Sequence, residues 1–182
     1  MAAATKQSGS NSKITSGDIE ITSGRQTGAI EMTNSGSTAI TVTFSGNSSL
    51  NADITRDGNI SSGSAKDVTV KFTNGTTMTG NINTGVMKEG NDFSSNIVTF
   101  SGASNVQDIV LTGNIYSGGA RSFNDGNHVT FTNGSMHGDI IAEIKYYGGY
   151  NSVTFSQDDA KLEGNINSYG APARGGGGGE HS

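Results

Sequence analysis

Residues 151–166, NSVTFSQDDAKLEGNI, contain two short segments that return in the same order through most of the chain. The first segment has the pattern V-x-F and the second has the pattern L-x-G-x-I. The phenylalanines of the first segment are Phe44, Phe72, Phe100, Phe131 and Phe155, at steps of 28, 28, 31 and 24 residues. Repeats of this length indicate a solenoid or another repeat array.

The second segment carries Leu or Met, then Gly or Ala, then Ile at alternate positions. Its copies begin at Leu50, Met78, Leu111, Met136 and Leu162. Alternation with period two is typical of strands, and no stretch of the chain shows a sustained helical period. We therefore interpret each segment as one strand, and we expect the Gly of the second strand to leave room for the Phe column opposite.

Stacking of the copies predicts an all-β fold, a parallel β-helix of about six coils in which like residues lie on like residues. A β-sandwich is the main structural alternative, although it would not explain why the same two strands return in one order. A β-propeller requires about 40–45 residues for each blade, which is more than this repeat supplies.

The repeats predict four parts of the chain. Residues 1–13 are polar and unpatterned, and we expect them to be disordered. Residues 14–37 form a degenerate capping coil, with Ile19 and Ile21 in the V-x-F positions. Residues 38–170 hold the β-helix repeats, and residues 171–182, APARGGGGGEHS, form a flexible Gly-rich tail or a cloning scar.

Composition excludes several classes of function. The 182 residues carry a net charge of −5 without a basic run, so we expect no nucleic-acid partner. There is no cysteine, which rules out a disulfide framework and thiolate metal sites. We expect no membrane insertion, since no apolar run reaches transmembrane length, and the start of the chain lacks the apolar region of a signal peptide.

The outward face of the V-x-F strands is the first candidate binding surface. Its central column is Thr43, Lys71, Thr99, Thr130 and Thr154. Together with the Ser or Thr that follows each Phe, this array resembles the ice-binding face of β-solenoid antifreeze proteins. The alternative is that Thr simply suits a half-exposed strand.

A group of tyrosines is the second candidate surface. Tyr146, Tyr147 and Tyr150 lie close together in the sequence, and aromatic side chains on a loop favour contact with a protein or a glycan. The alternative is local packing over the coil below. Three asparagines, Asn96, Asn127 and Asn151, precede Val by two residues, which indicates either a stacked hydrogen-bonded column or ordinary turn composition.

No motif assembles a catalytic site, and we predict that the chain is not an enzyme and needs no metal or cofactor. Asp158, Asp159 and Glu163 come nearest to a carboxylate cluster, but the neighbouring copies hold Asn, Gly and Ser there. His128, His137 and His181 show no metal-binding spacing.

Three copies, VKFTNGTTMTGNINTG, VTFTNGSMHGDI and VTFSQDDAKLEGNI, resemble the repeats of bacterial autotransporter passengers, in particular the vacuolating-cytotoxin-like passenger family. This resemblance implies a right-handed β-helix at the bacterial cell surface or outside the cell. It implies a role in adhesion, display or toxin scaffolding, with a host-surface protein or glycan as partner. The alternative is a self-assembling or ice-binding β-solenoid. Because the chain shows no amphipathic helix after Ile166, we also expect end-to-end self-association.

Overall fold

A computed structural model describes residues 5–6, 12–14, 18–21, 24–26, 28–32, 40–57, 68–73, 75–86, 96–101, 109–118, 126–143 and 150–169. Within these ranges every regular element is a β-strand, and the strands pair in parallel. The strands form three sheets of seven, six and seven strands.

Each sheet collects one kind of strand from successive copies. The first sheet holds the V-x-F strands in the order β1 (Thr5–Lys6), β3 (Ile19–Ile21), β6 (Ile40–Phe44), β9 (Val68–Phe72), β12 (Asn96–Phe100), β15 (Gly126–Phe131) and β18 (Tyr150–Phe155). The second sheet holds β4 (Gly24–Gln26), β7 (Ser48–Leu50), β10 (Thr76–Thr79), β13 (Ile109–Thr112), β16 (Ser135–His137) and β19 (Lys161–Glu163). The third sheet holds β2 (Ser12–Ile14), β5 (Ile30–Met32), β8 (Ile54–Asp57), β11 (Ile82–Val86), β14 (Ile115–Gly118), β17 (Ile140–Glu143) and β20 (Ile166–Tyr169).

The chain visits the three sheets in turn, so each copy of the repeat becomes one coil of a parallel β-helix. This confirms an all-β fold of the parallel β-helix kind, and the β-sandwich alternative is wrong. The predicted register also holds, since Val42 pairs with Val70 and Phe44 pairs with Phe72. In the coil 14–37, Ile19 and Ile21 pair with Val42 and Phe44, as the degenerate repeat indicated.

The interpretation of L-x-G-x-I as one strand was wrong. The Leu or Met ends or nearly ends a strand of the second sheet, whereas the Ile begins a strand of the third sheet. The glycine between them turns the chain, with φ of 150°, 146° and 147° at Gly80, Gly113 and Gly138. The Leu or Met therefore faces the interior from the second sheet and the Ile faces it from the third sheet. The Gly lies at the turn between the two sheets.

The glycine column has a different cause from the one we expected. A Cβ atom on Gly113 would collide with the carbonyl oxygen of Gly80, and one on Gly138 would collide with that of Gly113. Each glycine thus lies directly against the backbone of the preceding coil, at a φ that side chains disfavour. The column allows adjacent coils to approach each other, and it makes no room for phenylalanine.

A continuous stack of phenylalanine rings fills the corner after the first sheet. Centroid distances along the stack from Phe44 through Phe72, Phe100 and Phe131 to Phe155 are 4.9, 5.0, 4.5 and 4.9 Å, with interplanar angles of 16° or less. The first four rings are 0% exposed, whereas Phe155 is 46% exposed. The predicted buried column is therefore confirmed except at Phe155, which lies in the last coil.

The predicted asparagine column is a hydrogen-bonded ladder. The Asn96 side-chain amide donates to Asn127 Oδ1 over 2.9 Å, and the Asn127 amide donates to Asn151 Oδ1 over the same distance. Asn127 also donates to the Ile141 carbonyl at 2.8 Å, and Asn151 donates to the Asn167 carbonyl at 2.7 Å. These amides, buried at Asn96 and Asn127 and half-buried at Asn151, connect the starts of β12, β15 and β18 to the third sheet.

A second polar column follows the glycines, and the sequence analysis missed it. Its members are Asp53, Asn81, Asn114, Asp139 and Asn165. Each side-chain Oδ1 accepts a hydrogen bond from the backbone N–H of the next member, over 2.7 to 2.9 Å. The signal was the constant Asn or Asp between the Gly or Ala and the Ile of each second segment.

The described strands begin before the coil 14–37. Residues 1–13, expected to be disordered, include β1 and most of β2, which pair with β3 and β5. The coil within 14–37 therefore has strands on both sides in two of its sheets. The tail 171–182 lies outside the described residues.

Candidate binding surface

The first sheet presents the predicted Thr column in one line. Thr43 pairs with Lys71, Lys71 with Thr99, Thr99 with Thr130, and Thr130 with Thr154. These side chains are half-buried or exposed, while the Val and Phe residues of β6, β9, β12 and β15 alternate with them and are buried. The structure thus brings the five residues together on the outer face, at the interstrand spacing of ~4.8 Å.

The Ser or Thr after each Phe forms a second outward column, which is partly engaged in internal hydrogen bonds. The backbone N–H of Thr73, Ser101 and Thr132 continues the ladder by donating to the Phe carbonyl of the preceding coil. The Thr73 hydroxyl also donates to the Phe44 carbonyl at 2.7 Å. At the other end of the strands, Ile97 and His128 replace the Thr of β6 and β9. The Thr and Ser face is therefore interrupted by Lys71 in its central line and by Ile97 and His128 in the line beside it.

The structure describes one of the three predicted tyrosines. Tyr150 begins β18 and is 48% exposed, and its ring centroid lies 6.1 Å from that of His128. Side chains at alternate positions of a strand lie on the same face. Tyr150 and Thr154 are separated by an even number of positions on β18, so the tyrosine lies on the same face as the Thr column and flanks it. Tyr146 and Tyr147 lie outside the described residues.

The connections between coils give a third feature of the surface. The segments 58–67, 87–95, 119–125 and 144–149 each join the end of a third-sheet strand to the start of the next first-sheet strand. All four therefore leave and enter the stack at the same corner. Their own structure lies outside the described residues.

Ionisable side chains meet on the second sheet, within β19 and between β16 and β19. His137 Nδ1 lies 2.9 Å from Glu163 Oε2, and Lys161 Nζ lies 3.9 Å from Glu163 Oε1. His137 and Glu163 are register partners on β16 and β19, so the pair follows from stacking. Sequence reasoning missed this contact, although the two residues occupy the same place after Met136 and Leu162. All three side chains are largely exposed, and such pairs contribute little to stability.

The carboxylates that came nearest to a catalytic cluster do not face a common cavity. Asp158 and Asp159 lie in the exposed turn between β18 and β19. Across the described residues, no group of three or more His, Asp or Glu side chains is arranged to hold a metal ion. The described residues also contain no helix that is long and apolar enough to span a membrane.

No known protein family, curated protein or solved structure matches the chain. The resemblance to autotransporter passenger repeats therefore rests on the repeat residues themselves. The geometry offers a rod with one line of Thr residues, a flanking Tyr150–His128 pair and a corner from which the connections emerge.

Proposed function

We propose that this chain is a non-catalytic, secreted or surface-displayed β-helix module that acts as a rigid stalk in adhesion, display or toxin scaffolding. In this proposal the stack has about six right-handed coils, as repeats of this length and the passenger resemblance imply. The module contacts a host-surface protein or glycan at the bacterial surface or outside the cell.

The observation that carries the proposal is the continuity of the internal columns. The Phe stack runs through five coils, and the Asp53-to-Asn165 column runs through the same five. Such columns fix each coil on its neighbours, as expected for a stalk whose length is set by repeat number. The connections between coils lie outside these columns in the sequence, which suits the display of variable segments.

Attachment of chain-coated beads to cultured host epithelial cells tests the adhesive part of the proposal. We expect saturable attachment that soluble chain competes away. The variant Tyr150→Ser should reduce attachment, because Tyr150 is an exposed aromatic beside the connections. The matched control is Tyr169→Ser, since Tyr169 is 57% exposed but lies on the third sheet. Attachment no greater than that of albumin-coated beads would contradict the proposal.

The in-register Thr column favours one second candidate, an ice-binding or self-assembling solenoid. The line from Thr43 to Thr154 has the repeat spacing such a surface needs, although Lys71 interrupts it. Thermal hysteresis in the purified chain, lost in Thr99→Lys and Thr130→Lys, would establish ice binding. The stalk proposal expects no thermal hysteresis in either the parent chain or the variants.

A further inference from the structure

The asparagine ladder runs in one direction, which its hydrogen bonds fix. The Asn127 side-chain amide donates one hydrogen bond to Asn151 Oδ1 and another to the Ile141 carbonyl. The Asn96 amide repeats this one coil earlier, since it donates to Asn127 Oδ1 over 2.9 Å and to the Tyr116 carbonyl over 3.0 Å. Both hydrogens of each amide are used, so the Oδ1 atoms of Asn96 and Asn127 face the preceding coil.

The first rung of the ladder has an acceptor that no protein donor reaches. Asn96 is 0% exposed, and its Oδ1 has no hydrogen-bond partner in the part of the chain that the structure describes. Its register partner in the preceding coil is Val68, and valine carries no side-chain donor. Exchanging the amide nitrogen and oxygen of Asn96 would place that oxygen against the Tyr116 carbonyl oxygen, so the orientation is fixed. A buried oxygen of this kind is unfavourable unless it receives a hydrogen bond.

The repeat of the coils brings a second acceptor to the same place. The carbonyls that the ladder amides reach belong to one row of register partners in the third sheet, Tyr116, Ile141 and Asn167. The next member of this row, one coil earlier, is Asn83. One coil before the Asn96 amide, the same arrangement therefore brings together Asn96 Oδ1 and the Asn83 carbonyl. A single donor between these two oxygens would serve both, as each amide does in the later coils.

We propose that one buried water molecule binds between Asn96 Oδ1 and the Asn83 carbonyl and donates a hydrogen to each. Water has the two donors that an asparagine amide supplies in the later coils, and buried waters ordinarily join two to four polar groups. Valine is also shorter than asparagine by one bond, at the end where the amide nitrogen would lie. The inference concerns the interior of the rod and does not depend on the proposed function.

The chemistry of the two acceptors selects water over a cation. Ca²⁺ takes roughly six to eight oxygen ligands and Mg²⁺ requires near-octahedral coordination, whereas this arrangement supplies two oxygens and neither is a carboxylate. A charged donor would also be unfavourable at a buried place lined by neutral groups. A neutral molecule with two donors fits both oxygens without these costs.

A crystal structure of the parent chain that resolves internal waters tests the site directly. We expect one ordered water at about 2.7–3.2 Å from both Asn96 Oδ1 and the Asn83 carbonyl oxygen. A protein donor bonded to Asn96 Oδ1 would overturn the inference. So would a map that shows other internal waters and none between these two oxygens.

Val68→Asn replaces the proposed water by an amide of the chain itself. Because the introduced side chain extends the ladder by one rung, its Nδ2 should lie about 2.7–3.2 Å from Asn96 Oδ1 and from the Asn83 carbonyl, with no water left between them. A structure of the variant in which the introduced amide points elsewhere and Asn96 Oδ1 accepts no hydrogen bond would contradict the inference.

Ile40→Asn is the matched control, because Ile40 is the register partner of Val68 one coil earlier. The two variants introduce the same amide, but only the amide at position 68 meets an asparagine Oδ1 in the following coil. In urea melts followed by circular dichroism, Val68→Asn should keep a midpoint close to that of the parent chain, whereas Ile40→Asn should lower it. Equal losses in the two variants would show that Asn96 Oδ1 gains nothing from a donor, and would overturn the inference.

Discussion

Phe100 and Phe131 are 31 residues apart in the sequence, yet their rings stack with centroids 4.5 Å apart and an interplanar angle of 11°. Both rings are fully buried. The contact exists because β12 and β15 are register partners at every position from Asn96 to Phe100. One extra residue within a strand would turn a ring outward, so the variable spacing between copies falls outside the strands, in the connections and in the segment 102–108 between β12 and β13.

Phe100→Ala is expected to lower the free energy of unfolding by about 3–5 kcal/mol, since it opens a cavity between two rings that cannot move together easily. Phe155→Ala is the control within the same stack, and its cost should be much smaller because Phe155 is 46% exposed. Urea melts followed by circular dichroism measure both. If both variants lost the same free energy of unfolding, the difference in burial between Phe100 and Phe155 would be contradicted.

Gly113→Ala should destabilise the chain by about 1–3 kcal/mol or more, because it forces a side chain into a disfavoured φ and toward the Gly80 carbonyl oxygen. Ala52 occupies the same column in an earlier coil, so Ala52→Gly supplies the matched control and should change stability little. Thermal melts compare the two. Normal stability of Gly113→Ala would refute the close approach of backbones along this column.

Asn127→Ala should cost about 1–3 kcal/mol, since it leaves buried hydrogen-bonding groups without their partner. Asn127 is 0% exposed and connects Asn96, Asn151 and the Ile141 carbonyl. The control is Asn151→Ala on β18, in the last described coil, where the side chain is only half-buried. Amide hydrogen exchange should show faster exchange in β14 and β17 for Asn127→Ala. Unchanged exchange rates in β14 and β17 would mean that the asparagine ladder does not stabilise the third sheet.

We expect the chain to show no hydrolytic or lyase activity, because Asp158 and Asp159 lie in an exposed turn and the Glu163 carboxylate beside His137 is itself exposed to solvent. Incubation with polyuronates, followed by absorbance of unsaturated sugars, checks this directly. Product formation that disappears in Asp158→Ala or Asp159→Ala would identify an enzyme and contradict the scaffold proposal.

The sequence alone predicted the fold class, the V-x-F register and the Phe stack, because each depends on alternation within one strand. It did not predict the break at Gly113 and its equivalents. Leu111, Gly113 and Ile115 follow one another at steps of two, as they would in a continuous strand, and the positive φ that bends the chain leaves no mark in such a pattern.

The candidate surface was predicted less completely. The Thr column lies where alternation placed it, since the outward positions follow once the buried ones are known. The His137–Glu163 contact and the Asp53-to-Asn165 column each join residues of adjacent coils. To predict them, one must know which outward or corner residue of one coil lies beside which residue of the next coil. That information requires the full alignment of all three sheets, and the two strands recognised in the sequence supplied only part of it.

Dipolar distances between spin labels test most directly the claim that successive copies stack in register as a rod. The chain has no cysteine, so labels can be attached at introduced pairs on the outer face of the first sheet. Glu20→Cys serves as the fixed position, and the partners are Thr99→Cys, Thr130→Cys and Thr154→Cys, each diluted with unlabelled chain to remove distances between copies. With ~4.8 Å for each strand step, the backbone separations should be about 14, 19 and 24 Å. A uniform increase along this series is the predicted result, and distances that fail to rise from Thr99 to Thr154 would contradict the stacked β-helix.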